Sequence, residues 1–211
     1  MEIVSINPWD LKIVERFNAH TDQEANQIID AVHDEYKSWK KTSFQERAKL
    51  LLRVGEILEA RKEELAAHIT AEMGKPISES IAEVSKCAWV CRFYAEKAET
   101  FLKPRMVETD ASKSFVTYEP LGVIYAIMPW NFPFWQVLRF AAPTLMAGNT
   151  AILKHAPNVT RCALDIEEIF AEAGYPKNAF RTLILDNTQA SKVIEHPKVR
   201  AVSLTGREKA G

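Results

Sequence analysis

Residues 121–154, LGVIYAIMPWNFPFWQVLRFAAPTLMAGNTAILK, decide the fold. Leu121 to Met128 is a continuous apolar run, the pattern of a strand covered on both faces. A helix is predicted from about Pro133 to Ala147, closed by Gly148-Asn149, and a strand from Thr150 to Lys154. Downstream, a helix is expected from about Asn158 to Ala173, ended by Gly174 and Pro176. Asp186 and Gln189 then cap a short helix, and Val199 to Leu204 forms a last apolar strand. Strand, helix, strand, helix, strand is the alternation of an α/β protein with a parallel sheet. Between Glu119 and Lys154 the only formally charged side chain is Arg139. Prolines and Asn131 interrupt this stretch, so it reads as buried core and site rather than a lipid-crossing helix.

Upstream the texture is helical. Thr21 and Glu24 form a capping-box pattern, with Ala25, Ile28, Ile29, Val32, Tyr36 and Trp39 recurring on one face. Ser43 and Glu46 repeat the signal ahead of Phe44, Ala48, Leu51, Leu52 and Leu58. That pattern ends near Met73-Gly74-Lys75-Pro76, where glycine takes a left-handed cap and proline blocks continuation. Ser78 is expected to open the longest helix, whose seam is Ile81, Val84, Ala88, Cys91, Ala95, Ala98 and Leu102. The seam serves either core packing or a coiled coil, and core packing is the simpler reading. Ser114 to Tyr118 alternates like a strand. No internal repeat is found.

The 211 residues carry 27 Lys+Arg against 28 Asp+Glu, a net charge of −1. That balance gives no reason to expect a nucleic-acid or membrane partner. Three cysteines are too few for a secreted disulfide framework, and the N-terminus shows no basic segment followed by an apolar run. A cytoplasmic protein with reduced thiols is expected. Cys87, Cys91 and Cys162 read as core, and His20, His33, His68, His155 and His196 have no ligand spacing, so no metal is expected.

Strand ends of such a sheet are where ligands bind. Asn131 sits at one, between Pro129 and Pro133, which fix the backbone on either side. A carboxamide so held can steady an oxyanion; spacing alone equally allows, and favours, a turn in which it bonds its own backbone. Arg139 lies on the following helix. An arginine alone in an apolar stretch needs an anion, either a structural carboxylate or the carboxylate of a ligand. Lys154 ends a buried strand, as a ligand contact or a snorkelling lysine.

Pro129-Trp130-Asn131-Phe132-Pro133, Ala147-Gly148-Asn149, Leu153-Lys154 and Ser203-Leu204-Thr205-Gly206 resemble, in order, the signatures of the aldehyde dehydrogenase superfamily, as does Glu72-Met73-Gly74-Lys75-Pro76. Phe134 to Arg139 and Lys154 to Asn158 are most similar to the bacterial succinate-semialdehyde dehydrogenase branch. The resemblance implies N-terminal helices packed on a Rossmann-like sheet, with a β-arm for oligomerisation. It divides the chain into residues 1–103 (helical part of the cofactor domain), 104–120 (arm) and 121–211 (incomplete NAD(P)-binding half). It implies that Asn131 donates its amide to the oxyanion, and that Ile127, Met128, Pro129 and Trp130 line the cofactor groove. Lys154 would contact the adenine ribose, and Gly206 would open the helix nearest the pyrophosphate. Arg139 resembles the arginine that receives the distal carboxylate of succinic semialdehyde. Pro157 stands where many relatives carry an acid, and with Lys154 nearby this favours NADP, NAD being the other candidate.

The family's nucleophilic cysteine and general-base glutamate are expected beyond residue 211, so the isolated chain is expected to be inert and homo-oligomerisation to belong to the complete enzyme. The alternative is a truncated, non-catalytic dinucleotide-binding or oligomer-interaction module. Arg207 replaces the family's usual serine, and either bonds the phosphates or closes the groove. The helix it begins would be too short to stand alone.

Overall fold

A computed structural model describes residues 1–208. The chain opens with an antiparallel hairpin, β1 (Glu2–Ile6) and β2 (Ile13–Asn18), which the helical reading of the N-terminus had not anticipated. Its signal is the alternation of Ile3 and Ser5, both buried, with exposed Glu2 and Ile6. Helix α1 (Asp22–Trp39) and helix α2 (Phe44–Ala60) begin at Thr21 and Ser43, each closing a full capping box. Such caps contribute about 1 kcal/mol apiece. The pattern from Ser43 to Met73 is two helices, not one: the backbone breaks at Arg61 after α2, and α3 (Lys62–Met73) ends at Gly74, whose φ of 75° is the left-handed cap. Helix α4 (Ile77–Phe101) starts behind Pro76, one residue before Ser78, and is the longest at 25 residues.

The arm is slight. Strands β3 (Arg105–Met106) and β4 (Phe115–Val116) pair over two residues, and β4 is shorter than the Ser114–Tyr118 alternation suggested. Then the α/β alternation begins: β5 (Val123–Met128), α5 (Trp135–Met146), β6 (Thr150–His155), a 3-10 turn over Pro157–Val159, α6 (Thr160–Glu172), β7 (Phe180–Thr182), α7 (Asn187–Ile194) and β8 (Val199–Leu204). Strand β7 was not read from the sequence, because three residues are too few for a periodic pattern. All four strands are parallel, in the order β7-β6-β5-β8.

Both faces of the sheet are covered, which is why β5 is apolar throughout. Val123 and Tyr125 point towards Ala25, Ile29 and Val32 of α1. Ala126 and Met128 point the other way, into the larger core shared by α2, α4, α5 and α6. The α4 seam packs in this core through Val84, Ala88, Cys91 and Ala98, so core packing and not a coiled coil explains it. Strand β8 alternates half-buried with exposed residues, and so is wetter than the apolar run predicted. Cys87, Cys91 and Cys162 are free thiols in the core, and burial pushes all three thiol pKa values up. Among the described residues, no helix is long and apolar enough to cross a membrane, and no cluster of three His, Cys, Asp or Glu could hold a metal.

Candidate functional site

The strand C-termini define one rim of the molecule. Strand β5 runs into the Pro129–Pro133 loop, β6 into Ala156, and β8 into Thr205-Gly206-Arg207. The Thr205 N–H, donating to the Ile127 carbonyl at 3.0 Å, carries the β5–β8 ladder to this edge. Two cavities open here. One, of about 390 Å³, is lined by Pro129, Trp130, Asn131, Gln136, Thr205, Gly206 and Arg207. The second, of about 540 Å³, includes Ile127, Lys154, Asn187, Ser191, Leu204 and Arg207. Arg207 lines both, and among the described residues neither lining contains a carboxylate.

Asn131 is exposed, and its carboxamide makes no hydrogen bond with any described residue. The self-bonded turn that spacing favoured therefore does not form. Lys154 is buried at the end of β6, with its Nζ 3.3 Å from the Asn187 Oδ1. Burial pushes the ammonium pKa down, while Asp186 nearby opposes this. Among the described residues its hydrogen-bond acceptor is a neutral amide, so the nearly buried cation keeps the capacity to bind a further anion.

Two of the predicted site residues are placed differently from the others. Met128 lines neither cavity. Its side chain is packed in the larger core and its carbonyl accepts the Ala156 N–H at 3.1 Å, as the in-out alternation of β5 dictates. Arg139 is not a buried charge in search of an anion. It is exposed, with Nε 2.8 Å from the Gln136 Oε1 and a terminal nitrogen 3.0 Å from the Thr205 Oγ1. It stands at the edge of the Asn131 cavity through these two neutral partners. Gly206 and Arg207 lie at the rim as exposed residues, and Arg207 leaves both cavities open; the helix expected after them lies outside the described residues.

What the sequence reading missed is the scaffold behind the rim. Helix α5 has no side-chain cap of its own. The buried Glu83 of α4 supplies one: its Oε1 accepts the N–H groups of Phe134 and Trp135 at 2.9 and 3.0 Å. Its other oxygen pairs with buried Lys75, whose Nζ also lies 3.9 Å from the centre of the Phe132 ring. At the opposite end of α5, buried Arg47 donates to the Met146 carbonyl at 2.9 Å. Negative charge at the N-terminus and positive at the C-terminus match the helix dipole. Glu72 does for α6 what Glu83 does for α5, accepting from the N–H groups of Arg161 and Cys162, each at 3.0 Å. The legible clue was an acid at helical spacing inside an apolar seam, Glu83 between Ser80, Val84 and Cys87. Filling the N-termini of α5 and α6 with carboxylates removes them as phosphate sites. The rim near Gly206 and Arg207 is left for an anion.

An open parallel sheet with cavities beyond its strand ends is the α/β class that binds ligands there. A model of the aldehyde dehydrogenase family matches residues 1–211, and the chain belongs to that family. It is 52% identical over its whole length to a Synechocystis protein described as "Probable succinate-semialdehyde dehydrogenase [NADP(+)]", and covers 46% of that protein. It is 42% identical to succinate-semialdehyde dehydrogenase [NADP(+)] 1 of Mycobacterium tuberculosis, with 100% of this chain and 47% of that one covered. Among solved structures, the succinic semialdehyde dehydrogenase of Streptococcus pyogenes in complex with NADP+ superposes with a TM-score of 0.92 at 34% identity. That match covers 95% of this chain and 44% of the other. The chain thus spans about half the length of the curated relatives it matches.

Proposed function

We propose that this chain is the N-terminal, cofactor-binding half of an NADP-dependent aldehyde dehydrogenase acting on succinic semialdehyde. The observation that carries the reading is the placement of Asn131. Its carboxamide makes no hydrogen bond with any described residue and is held between two prolines, in a cavity that adjoins a second one bearing Lys154 and Arg207, with no carboxylate among the described residues of either lining. A donor so placed stabilises negative charge developing on an aldehyde oxygen, a role worth about 3 kcal/mol of barrier.

The residues fit a nucleotide carrying several phosphates: two cations, no acid among the described residues of either lining, and helix N-termini closed at α5 and α6. NADP, when bound, supplies the hydride acceptor. In this reading Lys154 meets the adenine ribose, and Gly206 and Arg207 meet the pyrophosphate. Ile127, Pro129 and Trp130 shape the groove, and Arg139 receives the distal carboxylate of the substrate. The Met128 side chain packs behind the groove, in the larger core. The names of the relatives support NADP and succinic semialdehyde.

Residues 1–103 and 121–211 form the cofactor-binding part in this proposal, and 104–120 the arm. Exposed Met106, Phe115 and Tyr118 on that arm suit burial in a homo-oligomer. The three free thiols suit a cytoplasmic setting. The test is direct: the 211-residue chain should quench Trp130 fluorescence with NADP yet oxidise no succinic semialdehyde, whereas the intact protein should oxidise it with NADP in preference to NAD. Failure of the intact protein to do so would sink the reading.

A further inference from the structure

The Pro129–Pro133 loop contains no hydrogen bond from its own asparagine side chain, yet both ends of its distal half are tied down from outside. His155 Nε2 donates to the Pro133 carbonyl at 2.9 Å. Immediately beyond, Glu83 takes the N–H groups of Phe134 and Trp135. Lys75 joins the two sides, paired with Glu83 and lying over the ring of Phe132, the neighbour of Asn131. Glu83 and Lys75 reach no cavity of the rim. Their hydrogen bonds are to backbone and to each other, in the core behind the loop. Two buried opposite charges are expensive to keep, and a simple helix cap does not require the second.

We propose that Glu83 is a positioning residue: paired with Lys75, it fixes the direction of the Asn131 carboxamide by clamping the backbone that follows Pro133. This rests on Asn131 acting as an oxyanion donor. Direction matters because a donor misplaced by about 1 Å costs about 10²-fold in rate. The charge on Glu83 holds the two amides more tightly than a neutral acceptor would, and Lys75 offsets the desolvation of that charge. The specificity of the arrangement lies in its target, the first turn of α5, which cannot shift without moving Asn131.

The test uses Glu83→Ala, Glu83→Gln and the double variant Lys75→Met with Glu83→Gln, which removes both charges if the single variants fold poorly. Val84→Ala is the control, since it removes core packing from the same helix while leaving Glu83 as acceptor for the Phe134 and Trp135 N–H groups. In the 211-residue chain, amide exchange at Phe134 and Trp135 should quicken about tenfold or more in Glu83→Ala, the equivalent of one lost hydrogen bond. The side-chain amide resonance of Asn131 should shift or broaden. Val84→Ala should leave both unchanged. In the intact protein, kcat should fall about 10²-fold in Glu83→Ala and about tenfold in Glu83→Gln, with KM for NADP within about twofold. Combination with Asn131→Ala should add little further loss. Multiplicative losses, or an unchanged Asn131 resonance while Asn131→Ala still abolishes activity, would overturn the positioning role. If Asn131→Ala itself leaves kcat intact, it is the oxyanion reading that has failed, and the proposal falls with it.

Discussion

The Nε2 of His155 lies 2.9 Å from the carbonyl oxygen of Pro133, so the strand that carries Lys154 also holds the loop that carries Asn131. The partners fix the tautomer. Nδ1 accepts the Ala156 N–H at 2.9 Å, which leaves the proton on Nε2 to be donated. The two cavities are therefore coupled through one buried, neutral imidazole at adjacent strand ends.

That neutrality has a pH signature. Burial is the main cause that lowers His155 from 6.5 to about 4, with Lys154 adding repulsion. Between about 6.5 and 4 the unfolded chain takes up a proton that the folded chain refuses. Stability should therefore fall as pH drops through this window, by about 3 kcal/mol at pH 4, at about 1.4 kcal/mol per unit. Urea midpoints of wild type and His155→Gln measured from pH 7 to pH 4 check it. The variant should lose this part of the slope, and parallel curves would refute the account.

Glu72→Ala should destabilise the chain by about 3 kcal/mol. It strands the N–H groups of Arg161 and Cys162 inside the core, each costing about 1–3 kcal/mol. Removing a carboxylate whose pKa burial already pushes up returns part of that cost. Glu72→Gln keeps one acceptor oxygen and should lose less. Thermal midpoints of the two variants decide, and a Glu72→Ala protein as stable as wild type would mean that desolvation cancels the cap.

The difference between what was legible and what was not follows from the range of each interaction. The capping boxes at Thr21, Ser43 and Asp186 are local, three residues from donor to acceptor, and all three form as the sequence predicts. The apolar run of β5 is legible because two covered faces demand it. By contrast, Glu83 acts across 51 and 52 residues on Phe134 and Trp135, and Glu72 across 89 and 90 on Arg161 and Cys162. No local period records such a partner. The burial expected of Arg139 fails for the same reason. The lack of charge around it in sequence does not reveal that its helix turns it outward, to Thr205 66 residues away. Met128 was placed in the groove by its neighbours' signature, whereas strand alternation turns it inward.

Arg139→Leu should separate substrates. Among the described residues its guanidinium has two neutral partners and no carboxylate, at the edge of the Asn131 cavity. In the intact protein, kcat/KM for succinic semialdehyde should fall about tenfold, the modest worth of a charge-assisted bond at an exposed site. An uncharged aldehyde of similar length should lose little. Equal losses on both would assign Arg139 to holding Thr205 in place rather than to the substrate.

Lys154→Met should separate cofactors. Among the described residues the lysine has only the Asn187 amide as a hydrogen-bond partner, and burial reduces the screening of its charge. An NADP 2′-phosphate set beside it would gain a charge-assisted bond of about 1.5–3 kcal/mol, whereas a 2′-hydroxyl gains much less. Titrations of the 211-residue chain, followed by Trp130 fluorescence, should show NADP affinity falling tenfold or more in the variant. NAD affinity should fall far less, and the wild-type preference should weaken as salt is raised. Equal losses for both nucleotides would place Lys154 on the part they share, and the choice of NADP would then have to come from Arg207 or Asn187.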